Sequence, residues 1–90
     1  MPTIEKKTCK DSIYDVLSRY SHLTPEEIKD TYRTITGEIM PYSINNICTR
    51  LSEMALDGYR TFTGKKIYLR GENRFKKNYK EWWIDNGELF

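Results

Sequence analysis

Residues 43–66 read SINNICTRLSEMALDGYRTFTGKK, and they pass from a helical pattern through a glycine into a basic, aromatic segment. Ile47, Leu51, Met54 and Ala55 recur at helical spacing, flanked by Ile44 and Leu56, so a helix over residues 43–57 is predicted with that stripe buried. Gly58 is its stop, because glycine enters the left-handed region at little steric cost. Residues 59–62 then read as a strand and Thr63-Gly64 as its turn. Residues 65–70 form the returning strand, with Lys66, Tyr68 and Arg70 alternating against Ile67 and Leu69. The other side of the helix carries Ser43, Asn45, Asn46, Thr49 and Arg50. A polar flank on an amphipathic helix needs no partner on its own account, so its meaning depends on what the fold brings beside it.

Upstream, the pattern is helical twice more. Asp11 or Ser12 can cap a first helix in which Ile13, Val16, Leu17 and Tyr20 form one apolar face. Residues 21–27, SHLTPEE, hold a stronger start: Thr24 caps, Pro25 suits the first helical position, and Glu27 completes a capping box. Leu23 and Ile28 occupy the staple positions. Ile28, Tyr32 and Ile35 continue the apolar face to a stop at Gly37. Downstream, Phe75, Tyr79, Trp82 and Trp83 fit a helix, while residues 79–84 fit an aromatic strand equally well. The strand is the preferred reading, and it leaves residues 63–78 as a long basic loop or hairpin.

Ninety residues, 38% hydrophobic and 31% charged, suit one small domain. A chain of this length buries roughly 60 to 65% of its unfolded surface, so three Phe, seven Tyr and two Trp must fill much of the core. The net charge of +2 conceals a segregation: residues 1–58 carry −2, residues 59–80 carry +7 and residues 81–90 carry −3. The middle block is a concentrated positive field that attracts polyanions within a Debye length of about 8 Å. A solvated lysine-rich loop is the plainer account of it.

Helix, capped helix, short turn, amphipathic helix, glycine and basic hairpin, in that order, resemble the winged helix-turn-helix domain over residues 11–84. Residues 45–66, NNICTRLSEMALDGYRTFTGKK, look like its recognition helix followed by the first wing strand, although Tyr59 stands where an aliphatic residue is more usual. The resemblance implies an α+β fold of three helices with a C-terminal basic β-hairpin wing. The third helix would enter the major groove of DNA and the wing would touch phosphates. It assigns Ser43, Asn45, Asn46, Thr49 and Arg50 to the groove, where Asn pairs with adenine and Arg with guanine. Arg60, Lys65, Lys66, Arg70, Arg74, Lys76 and Lys77 would anchor phosphates from the wing.

Catalytic patterns fail on spacing. Between Gly58 and Gly64 there are five residues where a phosphate-binding loop needs four, and Lys66 stands where Ser or Thr is required. His22, the single histidine, has no nucleophile or metal partner at recognisable spacing. Glu26 and Glu27 suit a helix N-terminus through its dipole. Cys9 and Cys48 form no CxxC pair, and Cys48 is expected at the edge of the packed side. No signal segment or membrane span is read, so the expectation is a cytoplasmic, non-enzymatic protein without cofactors.

The expected organisation is a flexible segment at residues 1–10, the domain at 11–84 and an acidic tail at 85–90. Double-stranded DNA is the expected partner, the role being that of a small transcriptional regulator or a replication or recombination accessory. The alternative is a protein-interaction adaptor on the same fold, with the C-terminal aromatic segment docking on a partner or a second copy. Stacking of unpaired bases on Tyr68, Tyr79, Trp82 and Trp83 is a third reading, behind their use as core.

Overall fold

Three side-chain hydroxyls start three helices. The computed structural model describes residues 8–73 and 80–85. Thr8 caps α1 (Cys9–Leu17), Thr24 caps α2 (Pro25–Thr36) and Ser43 caps α3 (Ile44–Leu56). Thr24 Oγ1 accepts from the Glu27 N–H at 3.2 Å and the Glu27 carboxylate accepts from the Thr24 N–H at 3.0 Å, the reciprocal box expected there. The same box, Thr8 with Asp11, opens α1. Asp11 is therefore a third-position acceptor and not the cap, and of the segment expected to be flexible Thr8 caps the first helix while Cys9 and Lys10 belong to it. Each such cap contributes about 1 kcal/mol.

Helix ends follow the glycines where these occur. Gly37 ends α2 at φ 78° with its N–H on the Arg33 carbonyl at 2.8 Å, and Gly58 follows α3 at φ 83° with its N–H on Met54 at 3.1 Å. Without a glycine, α1 closes at Ser18, and Tyr20, expected on its apolar face, lies outside the helix and exposed. The backbone turns there through His22 at φ 62° and brings Leu23 to the sheet.

The sheet is antiparallel in the order β1 (Tyr59–Arg60), β2 (Lys66–Asn73), β3 (Lys80–Asp85). β1 stops two residues short of expectation because Thr61 turns: its N–H donates to the Lys65 carbonyl at 2.7 Å, and Gly64 donates back to Thr61 at 2.9 Å. β2 runs three residues past the expected end and pairs along its length with β3, so the aromatic segment is a strand over residues 80–85. Lys66, Tyr68 and Arg70 are exposed while Ile67 and Leu69 are buried, as the alternation predicts.

The core lies between the helices and that inner sheet face. Ile13 and Val16 of α1, Ile28 and Tyr32 of α2, and Ile47, Leu51 and Met54 of α3 meet Ile67, Leu69 and Trp82. Burying each aliphatic side chain contributes about 1.5 to 3 kcal/mol. Ala55 is only partly buried and Leu56 points to solvent. At the centre of the hairpin Gly71 faces Trp82, where a Cβ would fall 2.8 Å from the indole ring.

Two predictions follow from this packing. Gly71→Ala should destabilise the fold by about 1 to 3 kcal/mol, the range for overpacking, read from chemical denaturation followed by tryptophan fluorescence. An unchanged midpoint would mean that the indole moves aside freely. The second concerns Tyr59, whose hydroxyl donates to the Asp11 carboxylate. Burial first, and then that hydrogen bond and the nearby carboxylates, push its phenol above the ordinary tyrosine range. Because the folded state favours the neutral phenol, its contribution is complete below the unfolded value of about 10 and is lost as pH rises toward the folded one. Stability should fall as pH climbs past about 10, and Tyr59→Phe should flatten that fall in denaturation midpoints measured across the range.

Candidate nucleic-acid interface

The outward flank of α3 is uncharged. Ser43, Asn45, Asn46 and Thr49 are all exposed there, and Ser52 continues the row. Two of the five expected groove residues, Ser43 and Thr49, already have work in the helix. Ser43 Oγ accepts from the Asn46 N–H at 3.1 Å, and the Thr49 hydroxyl donates to the Asn45 carbonyl at 3.0 Å. The side-chain amides of Asn45 and Asn46 point to solvent, each with donors and an acceptor.

Arg50 is different. It lies toward α1, with its side chain 35% exposed and a terminal nitrogen 3.2 Å from Glu53, one turn further along α3. The other oxygen of Glu53 is 3.2 Å from Lys10 Nζ of α1, so one carboxylate holds two cations and ties two helices. Arg50 Nε is buried without a hydrogen-bond partner among the described residues. Nearby, burial pushes the Cys9 thiol above its usual range while the Arg50 charge opposes that shift. Arg50 thus stands between α1 and α3 rather than on the outward flank with the asparagines.

The basic block divides into two regions. Arg60, Lys65 and Lys66 gather at the β1–β2 turn, where Arg60 donates to the Gly64 carbonyl at 2.8 Å. Lys66 also packs beside Gly58 at the C-terminal end of α3, with its ammonium 5.7 Å from the centre of the Tyr68 ring. From Lys66 to Asn73 the strand climbs roughly 23 Å at about 3.3 Å per residue, well beyond one Debye length. Arg70 sits between, on the sheet face turned away from the helices, paired with Asp85 at 3.2 Å. It shares no surface with the α3 flank. Arg74, Lys76 and Lys77 lie outside the described residues, in the connection from β2 to β3.

α3 and the hairpin do meet, at a contact the sequence reading did not single out. Ile44, Cys48 and Ser52 line one wall of a groove of about 300 Å³, Lys80 and Trp82 of β3 line the other, and Thr24, Pro25 and Glu26 close one side at the start of α2. The Lys80 ammonium lies 5.4 Å from the Trp82 ring centre and is exposed. Cys48, expected at the edge of the packed side, is exposed in this groove because the α3 stripe turns toward Ile47 and Leu51. Period-two alternation in the aromatic strand sets Lys80 and Trp82 on one face, and that signal could have identified Lys80. Ser52 follows Cys48 by one helical turn.

The outer face of β3 adds a further aromatic contact. His22 stacks on Trp83 with ring centres 4.3 Å apart and planes 17° from parallel. Among the described residues no cluster of three or more His, Cys, Asp or Glu could hold a metal ion, and no helix is long and apolar enough to cross a membrane. No family model matches this chain, and no curated protein or solved structure matches it either.

Proposed function

We propose that this chain is a winged helix-turn-helix domain that binds double-stranded DNA without catalysing a reaction. In this reading α3 enters the major groove and the β2–β3 hairpin rests on phosphates beside it, as a small regulator or a replication or recombination accessory would require. The observation that carries the reading is the groove in which the α3 residues Cys48 and Ser52 face Lys80 of the hairpin. Lys80 on the strand and the neutral Cys48 and Ser52 of the helix are side by side, with Glu26 of α2 also lining the groove; in this reading the cation anchors phosphate and the neutral flank meets the bases. Arg74, Lys76 and Lys77 fall between β2 and β3 in the sequence.

Arg60, Lys65 and Lys66 form a second cationic region at the far end of α3, about 20 Å from its first residue at 1.5 Å per residue. An interface using both regions follows the duplex backbone on either side of the helix. An adaptor role is the second reading, favoured by the exposed Leu56 and the fully exposed Phe62 near that same end.

Fluorescence anisotropy of a random duplex at several salt concentrations tests the proposal. About five phosphate contacts give a slope near −4.5 in log K against log salt, at −0.9 each. Lys80→Gln should weaken binding to every duplex and flatten the slope by about 0.9. Replacing Leu56 and Phe62 with Ser should leave both quantities unchanged. Absence of duplex binding at low salt would sink the DNA reading and leave the adaptor.

A further inference from the structure

We infer that the α3 flank selects adenine–thymine pairs, with Asn45 as the residue that discriminates adenine, and that Arg50 reads no base. This rests on the DNA-binding reading proposed above and deepens it. α3 contains a single cation, Arg50, and a single anion, Glu53. The structure pairs them at 3.2 Å and adds Lys10 to the same carboxylate. An arginine that recognises guanine must present its planar fork to O6 and N7 together. For Arg50 that means leaving Glu53 and withdrawing a guanidinium whose Nε is already buried.

The side chains left for base contact are uncharged. Asn45 is the second residue of α3, in the N-terminal turn that approaches base edges in helix-turn-helix docking. Its amide is exposed and offers one donor edge and one acceptor, the pair that matches adenine N7 and N6. Thr49 stands one turn further along the same flank. Its hydroxyl proton is committed to the Asn45 carbonyl, so outward it offers a methyl group and an acceptor oxygen. A methyl suits the thymine C5-methyl. The rise between the two residues is about 6 Å, or roughly two base steps of 3.4 Å along one strand, so they address pairs about two steps apart. Asn46, turned further toward Arg50, lies at the border of this footprint.

Selection of the full chain against a randomised duplex pool, followed by anisotropy on single-base variants of the enriched site, tests the inference. The expected result is enrichment of adenine at one position at least, with a second adenine–thymine pair about two steps away. Asn45→Ala should lose about tenfold or more of the preference at that adenine, within the range for a bidentate base contact, with binding to random duplex nearly unchanged. Arg50→Lys, which keeps the charge beside Glu53, should retain the enriched site, and circular dichroism checks that each variant folds. Enrichment of guanine by the wild-type chain, or duplex binding with no base preference, would overturn the inference and leave the DNA-binding proposal standing. Absence of binding to any duplex would overturn both.

Discussion

The attachment of Leu23 to Trp82 decides how the helices and the sheet sit together. Leu23 donates to the Trp82 carbonyl at 3.1 Å and Trp82 donates back at 2.8 Å, so the link between α1 and α2 acts as one more residue on the free edge of β3. On its other edge Trp82 faces Gly71, and its ring lies close over that glycine. One residue thus fixes the α2 start, the hairpin and the inner sheet face. In a chain of ninety residues, few contacts are redundant, and Trp82 also lines the groove between α3 and β3.

That geometry also divides the electrostatics. Eight cations and one anion in residues 59–80 look like a single field in the sequence. In three dimensions the described ones are spread out: Arg60, Lys65 and Lys66 gather at the β1–β2 turn, Arg70 lies further along β2 and Lys80 stands on β3. Lys66 and Arg70 lie on the outer face, Lys80 borders the groove, and Arg70 is neutralised by Asp85. Attraction at two separated regions favours an extended polyanion over a compact one, because a small anion cannot meet both within a Debye length. This supports a duplex more than a phosphorylated metabolite as the proposed ligand.

The fold was largely legible because its strongest signals are local. Thr24, Pro25, Glu27 and Gly37 bound α2 by backbone chemistry alone, and Ile47, Leu51 and Met54 name the buried face of α3. The start of α1 was misjudged because Thr8 and Asp11 form a box with Asp11 in its less usual role at the third position, where Glu is more common. Asn45, Asn46 and Thr49 proved exposed because amphipathic periodicity also defines the outer side. Arg50 was not legible: its partner Lys10 on Glu53 lies forty-three positions upstream of that carboxylate, and no period in the sequence records that approach. For Lys80 alternation gives the face it shares with Trp82, but not the approach of that face to α3, which depends on the pairing of Gly71 with Trp82.

The fate of Arg50 links stability to the proposed recognition. A buried Nε without a partner is costly, and a second cation on the same carboxylate offsets part of that cost by joining α1 to α3. Releasing Arg50 toward a ligand would loosen the contact that orients the helix it sits on. A helix in this position keeps its cation for the fold and leaves contact with a partner to neutral groups. On the DNA-binding proposal, affinity would then come from the β1–β2 turn and the strands, where Lys65, Lys66 and Lys80 are exposed at little cost to the core. Under the DNA-binding reading, strength and selectivity therefore reside on different elements, and each can change in evolution without unfolding the other.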